Sequence, residues 1–197
     1  LVREKEAETA ENVIVLSNLA TFKMDWLHVY IDHQRFQVST AQQDCYPVLR
    51  DLAVSTFRIL TDTPVGQLGI NMDSHVQMPS VSAVNNLGDV LAPKALWADL
   101  VETPLLRTMT MQAERPSNGN DDELVRGHVN VRVEPSMRVQ TGVRFNIYDH
   151  FELVDLTGPQ LGSEPLLGVL NRHWEGSLER SRAIRDGLIA GVVDDDS

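Results

Sequence analysis

Residues 67–78, QLGINMDSHVQM, alternate apolar and polar side chains almost without interruption. Leu68, Ile70, Met72, Val76 and Met78 fall on one parity, and Asn71, Asp73, His75 and Gln77 on the other. Successive side chains of a strand point to opposite sides. Such a segment therefore suits a strand with one face in a core and the other in water. Residues 124–134 repeat the pattern, with Val129, Val131 and Val133 against His128, Asn130, Arg132 and Glu134. Residues 139–153 do so again through Val143, Phe145, Ile147, Phe151 and Leu153. Strands of this kind need a second layer over their apolar side, and antiparallel sheets are where they occur.

The remaining elements supply that layer. NVIVLSN (12–18) is a β-branched strand candidate, and 21–32 with 35–40 reads as a hairpin whose tip carries Asp32 and His33. A helix should begin near residue 44, capped by Thr40 with Gln43 or by Asp44, with Pro47 in its first turn. Leu49, Leu52, Ala53, Thr56 and Leu60 form its stripe. Residues 82–91 suit a helix stopped by Pro93, with a short helix through Trp97 to Val101 after it. A strand at 105–113 precedes the polar loop RPSNGNDDE. Ser163 should cap a long last helix bearing Leu167, Leu170, Trp174, Leu178 and Leu188. The expected fold is α+β: a mainly antiparallel sheet of about six strands with helices packed on one face. With 197 residues and no long linker, 1–197 reads as a single domain. Residues 1–11 read as a charged N-terminal arm and 191–197 as an acidic frayed tail.

Composition narrows the function. Twenty-eight acids face 17 bases, a formal charge of −11. Nucleic-acid binders neutralise phosphates with a basic face, so no nucleic-acid partner is expected. The same balance argues against an anionic membrane surface. No apolar run is long enough to span a bilayer. The single Cys45 permits no intrachain disulfide and suits a reducing, cytoplasmic setting. LVREKEAETAEN is no signal peptide, and a chain opening on Leu1 is expected to have lost or left unnumbered its upstream residues.

Two stretches echo each other. NMDSHVQM and NIYDHFEL both read Asn, three residues, His, apolar, Gln or Glu, apolar. In the first copy Asn71, His75 and Gln77 share a strand face; in the second Asn146, His150 and Glu152 do. If the strands were neighbours, these side chains could converge to hold a ligand or a metal through neutral imidazole, or to do acid/base work with Glu152 orienting a His. The plainer reading is the polar side of a half-buried sheet, and a short pattern alone rarely identifies a site. Cys45 near a helix start could be an activated thiol, though a lone Cys is more often a small buried hydrophobe. NGNDDE (118–123) lacks the ligand spacing of a calcium loop. Nucleotide-binding glycine loops, the Gly-x-Ser-x-Gly elbow and His-Glu-x-x-His do not occur.

The expectation is therefore a non-enzymatic, cytoplasmic protein that binds a protein partner or assembles with itself as a homo-oligomer, with no cofactor and no metal. A one-sided sheet and the long apolar stripe of the last helix favour it. The alternative is an enzyme or a small-ligand or metal-binding protein built on Asn71, His75, Asn146, His150 and Glu152. The two part on whether His75 and His150 meet.

Overall fold

The computed structural model describes residues 8–114, 125–153 and 162–193. Most of the expected arm, the loop with NGNDDE, and the tail beyond residue 193 lie outside the described residues. The fold is α+β with antiparallel sheets, as the alternation requires, but eight strands form two sheets of four. The chain divides into two compact units, Leu1–Val65 with Pro159–Arg172, and Gly66–Gly158 with His173–Ser197.

The first unit is a meander, β1 (Glu11–Val15), β2 (Leu19–Lys23), β3 (His28–Asp32) and β4 (Phe36–Ser39), paired in that order. The higher strand count starts here. Residues 21–32 do not run as one strand, because the Met24 N–H donates to the Leu27 carbonyl and reverses the chain. Met24 and Leu27 are both buried, so the turn carries apolar side chains rather than the usual polar signals. The tip between β3 and β4 falls where expected, with the Gln34 N–H donating to Asp32 Oδ1 at 2.8 Å. A 3-10 turn, Gln43–Cys45, leads into α1 (Tyr46–Ile59), with Pro47 in the first turn and no side-chain cap. Leu49 and Leu52 of α1 pack with Met24, Leu27 and Val29. Gly162 passes so close to the Thr61 carbonyl that no Cβ would fit. Beside it the Ser163 hydroxyl donates to the Phe57 carbonyl at 2.9 Å, using the residue expected as a helix cap to tie the start of the last helix to the end of α1.

The second unit holds β5 (Gln67–Gln77), α2 (Val81–Leu91), β6 (Met109–Glu114), β7 (Val125–Pro135) and β8 (Gly142–Leu153). The sheet order is β5-β8-β7-β6, so the longest strand lies inside. The last helix, α3 (Glu164–Val193), gives its later turns to this unit. Ser80 caps α2 by accepting the Ala83 N–H. The helix expected at 97–101 is instead a 3-10 turn at Lys94–Leu96 followed by single turns. Met78, Leu87, Val133, Val143 and Phe145 make a buried cluster to which Val84 and Leu91 of α2, and Leu188 and Ile189 of α3, add. Helices thus cover the apolar side of this sheet. Among the described residues no helix is long and apolar enough to cross a membrane.

Candidate functional site

The polar side of the second sheet carries every residue singled out by the echoed motif. Its arrangement follows from one register. Met72 lies opposite Ile147 in the antiparallel β5–β8 pair, and that pair has the same sequence offset as Asn71 and Asn146. The two copies are therefore related by a pseudo-twofold axis through Met72 and Ile147. Asn71 and Asn146, next to the axis, meet: Asn146 Nδ2 donates to Asn71 Oδ1 at 3.0 Å. His75 and His150, further out, are carried apart. His75 lies opposite Arg144 and His150 opposite Gly69. Six strand positions separate them, roughly 20 Å at about 3.4 Å per residue. Antiparallel pairing does not bring the two imidazoles into a common pocket.

Each histidine belongs to a separate cluster. At one end, His75 Nδ1 is 2.8 Å from Ser136 Oγ and His75 Nε2 is 4.0 Å from Asp73 Oδ1. Ser, His and Asp in this order invite comparison with a nucleophilic triad. The hydrogen bonding argues otherwise. Ser136 Oγ accepts the N–H groups of Arg138 and Val139, at 3.1 and 2.9 Å, and so closes the turn between β7 and β8. With both lone pairs accepting, its O–H points to His75 Nδ1, and no lone pair remains for attack on a substrate. Asp73 is engaged by Arg144, whose Nε and Nη2 donate to its two oxygens at 2.7 and 3.0 Å. Arg144 also donates to Glu134 at 2.6 Å, linking β5, β8 and β7. The Arg144 guanidinium, with Arg132 beyond it, holds the Glu134 carboxyl below the ordinary range, and Asp73 and Glu134 raise Arg144 above its own. This end is a cross-strand clamp.

At the other end, His150 lies opposite His128 of β7, with ring centroids 4.6 Å apart. Tyr148 Oη is 3.0 Å from His150 Nδ1, and the tyrosine ring crosses Gly69, leaving no room for a Cβ there. Burial, with His128 beside it, lowers the affinity of His150 for a proton, against the pull of Glu152. Glu152 itself is 3.5 Å from Gln67 Nε2. Among the described residues no three His, Cys, Asp or Glu side chains are grouped to hold a metal. Two shallow depressions among the described residues are lined by other side chains. One, about 280 Å³, has Asn12, Ile14, Thr21, Phe22, Lys23 and His28; the other, about 420 Å³, has residues 59–64.

Sequence reading missed Ser136, His128 and Tyr148, which need the register to be seen as neighbours. It also passed over Asp149, which stood in plain view. Asp149 occupies an apolar slot of β8 and is 1% exposed. Ser177 Oγ donates to it at 2.5 Å and Arg180 lies 3.6 Å away. The interruption of the alternation at this residue was the available signal. No family model, curated protein or solved structure matches the chain.

Proposed function

We propose that this chain acts by binding protein, in the cytoplasm, and that the segment from Leu96 to Leu105 is its docking surface. The observation that carries this reading is the outward display of apolar side chains on an ordered segment. Leu96 is 80% exposed and Leu100 76%, with Trp97, Val101 and Leu105 also exposed. The segment is held by the bonds Trp97 N–H to Lys94 and Leu100 and Val101 N–H to Trp97. Lys94 pairs with Asp89 at 2.7 Å. Leu106 lies so near Gly88 of α2 that a Cβ there would be 3.1 Å from its own. Single exposed apolar residues are ordinary, but five within ten positions, one of them Trp, suit an interface. Burying one such side chain is worth about 1.5–3 kcal/mol, which a partner would recover. The last helix adds less than expected: Leu167, Leu170, Trp174 and Leu178 are already buried within the chain.

The test compares wild type with a Leu96→Asp, Leu100→Asp double variant that keeps its circular dichroism. Affinity capture and native mass spectrometry, with and without Zn²⁺ and Mn²⁺, read partner and metal together. A protein partner held by wild type and lost by the variant supports the reading. An identical partner set for both overturns the assigned surface. A stoichiometric metal lost on His75→Ala or His150→Ala would replace it with a metal site on the polar sheet face.

A further inference from the structure

The docking segment is part of a loop whose two ends rest on one turn of α2. At its start Lys94 Nζ pairs with Asp89 Oδ1 at 2.7 Å. At its end the Leu106 side chain lies over Gly88, where an added Cβ would come within 3.1 Å of Leu106 Cβ. Gly88 and Asp89 are neighbours in sequence, so the chain from 94 to 106 leaves α2 and returns to the place it left. Compact surface loops with closed ends are frequently functional. The first half of this one is held by its own turns, through the Trp97, Leu100 and Val101 N–H groups. Among the described residues, 102–106 take part in no main-chain hydrogen bond.

The return to α2 passes through Thr103, whose φ is 48°. Left-handed backbone is disfavoured for a β-branched side chain. The next residue is Pro104, and a residue before proline is pushed towards extended backbone by the proline Cδ. Thr103 is thus held in a conformation that its own chemistry and its neighbour's both oppose. Thr141 also has a positive φ, but it sits in the β7–β8 turn, where its carbonyl accepts the Met78 N–H. No turn of that kind accounts for Thr103. Strain of this sort persists only where the surroundings enforce it, and it gathers at switch regions. Here the enforcing contacts are the two clasps on α2.

We propose that the loop is a two-state latch with Thr103 as its hinge, and that a protein partner docks on the released state. In the pinned state both clasps hold and Thr103 is left-handed. In the released state Thr103 is extended, Leu106 has left Gly88, and the 97–101 turn can carry Leu100 and Val101 into a partner. The two states lie close in free energy. A half-exposed ion pair such as Lys94–Asp89 contributes little, and the strain at Thr103 offsets it. The contact of Leu106 with Gly88 tips the balance to the pinned state. The residue type indicates which state is used. Glycine or asparagine would hold a left-handed position at little cost and fix the pinned loop. Thr followed by Pro favours release, and such a conflict between local preference and fold is expected at a functional position. The inference rests on the reading of 96–105 as the docking surface and adds how that surface is controlled.

The test uses the whole chain. Thr103→Gly removes the strain, and Thr103→Pro cannot take a positive φ. Trypsin cleavage after Arg107 needs Leu106 to leave Gly88, so its rate follows the released population when the loop recloses fast. Cleavage after Arg132, inside β7, reports global unfolding. Relative to that control, Thr103→Gly should slow cleavage at Arg107 about tenfold, and Thr103→Pro should speed it. The partner lost by Leu96→Asp, Leu100→Asp should be held about tenfold more weakly by Thr103→Gly, since binding falls with the competent fraction. Equal cleavage at Arg107 in wild type and Thr103→Gly overturns the hinge. Slowed cleavage with undiminished binding overturns docking on the released state. A wild type that holds no protein overturns the docking reading, and slowed cleavage at Arg107 then supports the latch alone.

Discussion

The two four-stranded sheets use similar residues to opposite ends. β8 lies inside the second sheet, and its Val143, Phe145, Ile147, Phe151 and Leu153 are all buried. β1 lies at the edge of the first, and its Val13, Ile14 and Val15 are all exposed. Both stretches are rich in β-branched or aromatic side chains, as strands prefer. Composition brings a segment into a strand; the neighbours on either side decide whether that strand is core or surface.

The largest expected contrast is between Phe145 and Val15. Phe145→Ala empties a fully buried site and should cost about 3–5 kcal/mol, read as a shift of the urea midpoint. Val15→Ala in dilute solution should stay within about 0.5 kcal/mol. Comparable losses at both would mean that β1 is covered in the monomer. A smaller contrast sets the polar supports of the two sheets against each other. Ser177→Ala removes a bond to the buried Asp149 carboxyl and should cost about 1.5–3 kcal/mol. Thr21→Val removes the 2.9 Å bond to the Val29 carbonyl at a half-buried site and should cost about 0.5–1.5 kcal/mol. The order of these two is the informative result.

Backbone strain separates the sheets further. Asn12 in the first and Thr141 in the second both hold a left-handed φ, 52° and 54°. Asn tolerates that region, whereas a β-branched residue pays roughly 1–2 kcal/mol in it. Thr141→Asn should therefore stabilise by about 1 kcal/mol, and Asn12→Gly should change little, both measurable by thermal melting. The smallest expected effect is a pH slope. His150 binds a proton less readily folded than unfolded, through burial first and then the charge of His128. The unfolded chain takes up the proton first as pH falls below about 6.5, so stability drops from there down to the depressed folded value. His150→Gln should flatten that slope; equal slopes in wild type and variant would place the titration elsewhere.

Much of the fold could be read from the residues. Alternation at 67–78, 124–134 and 139–153 determined β5, β7 and β8 and which of their faces is buried, because a period of two admits one orientation. Pro47 and Pro93 bounded helices through local backbone chemistry, while the Ser80 cap, just before the expected start at residue 82, was not read. The turn from Met24 to Leu27 was not readable, since its end residues are apolar and reverse the chain only because a core receives them. The candidate site divided in the same way. The sequence determined that Asn71, His75, Asn146, His150 and Glu152 share the polar side of their strands. Tertiary structure decided that Asn71 meets Asn146 while His75 and His150 part, because an antiparallel register runs two copies of one motif in opposite directions from a shared centre. It also decided that β1 stays exposed, since β1 pairs only with β2 and no residue within it records whether another element comes to its other edge.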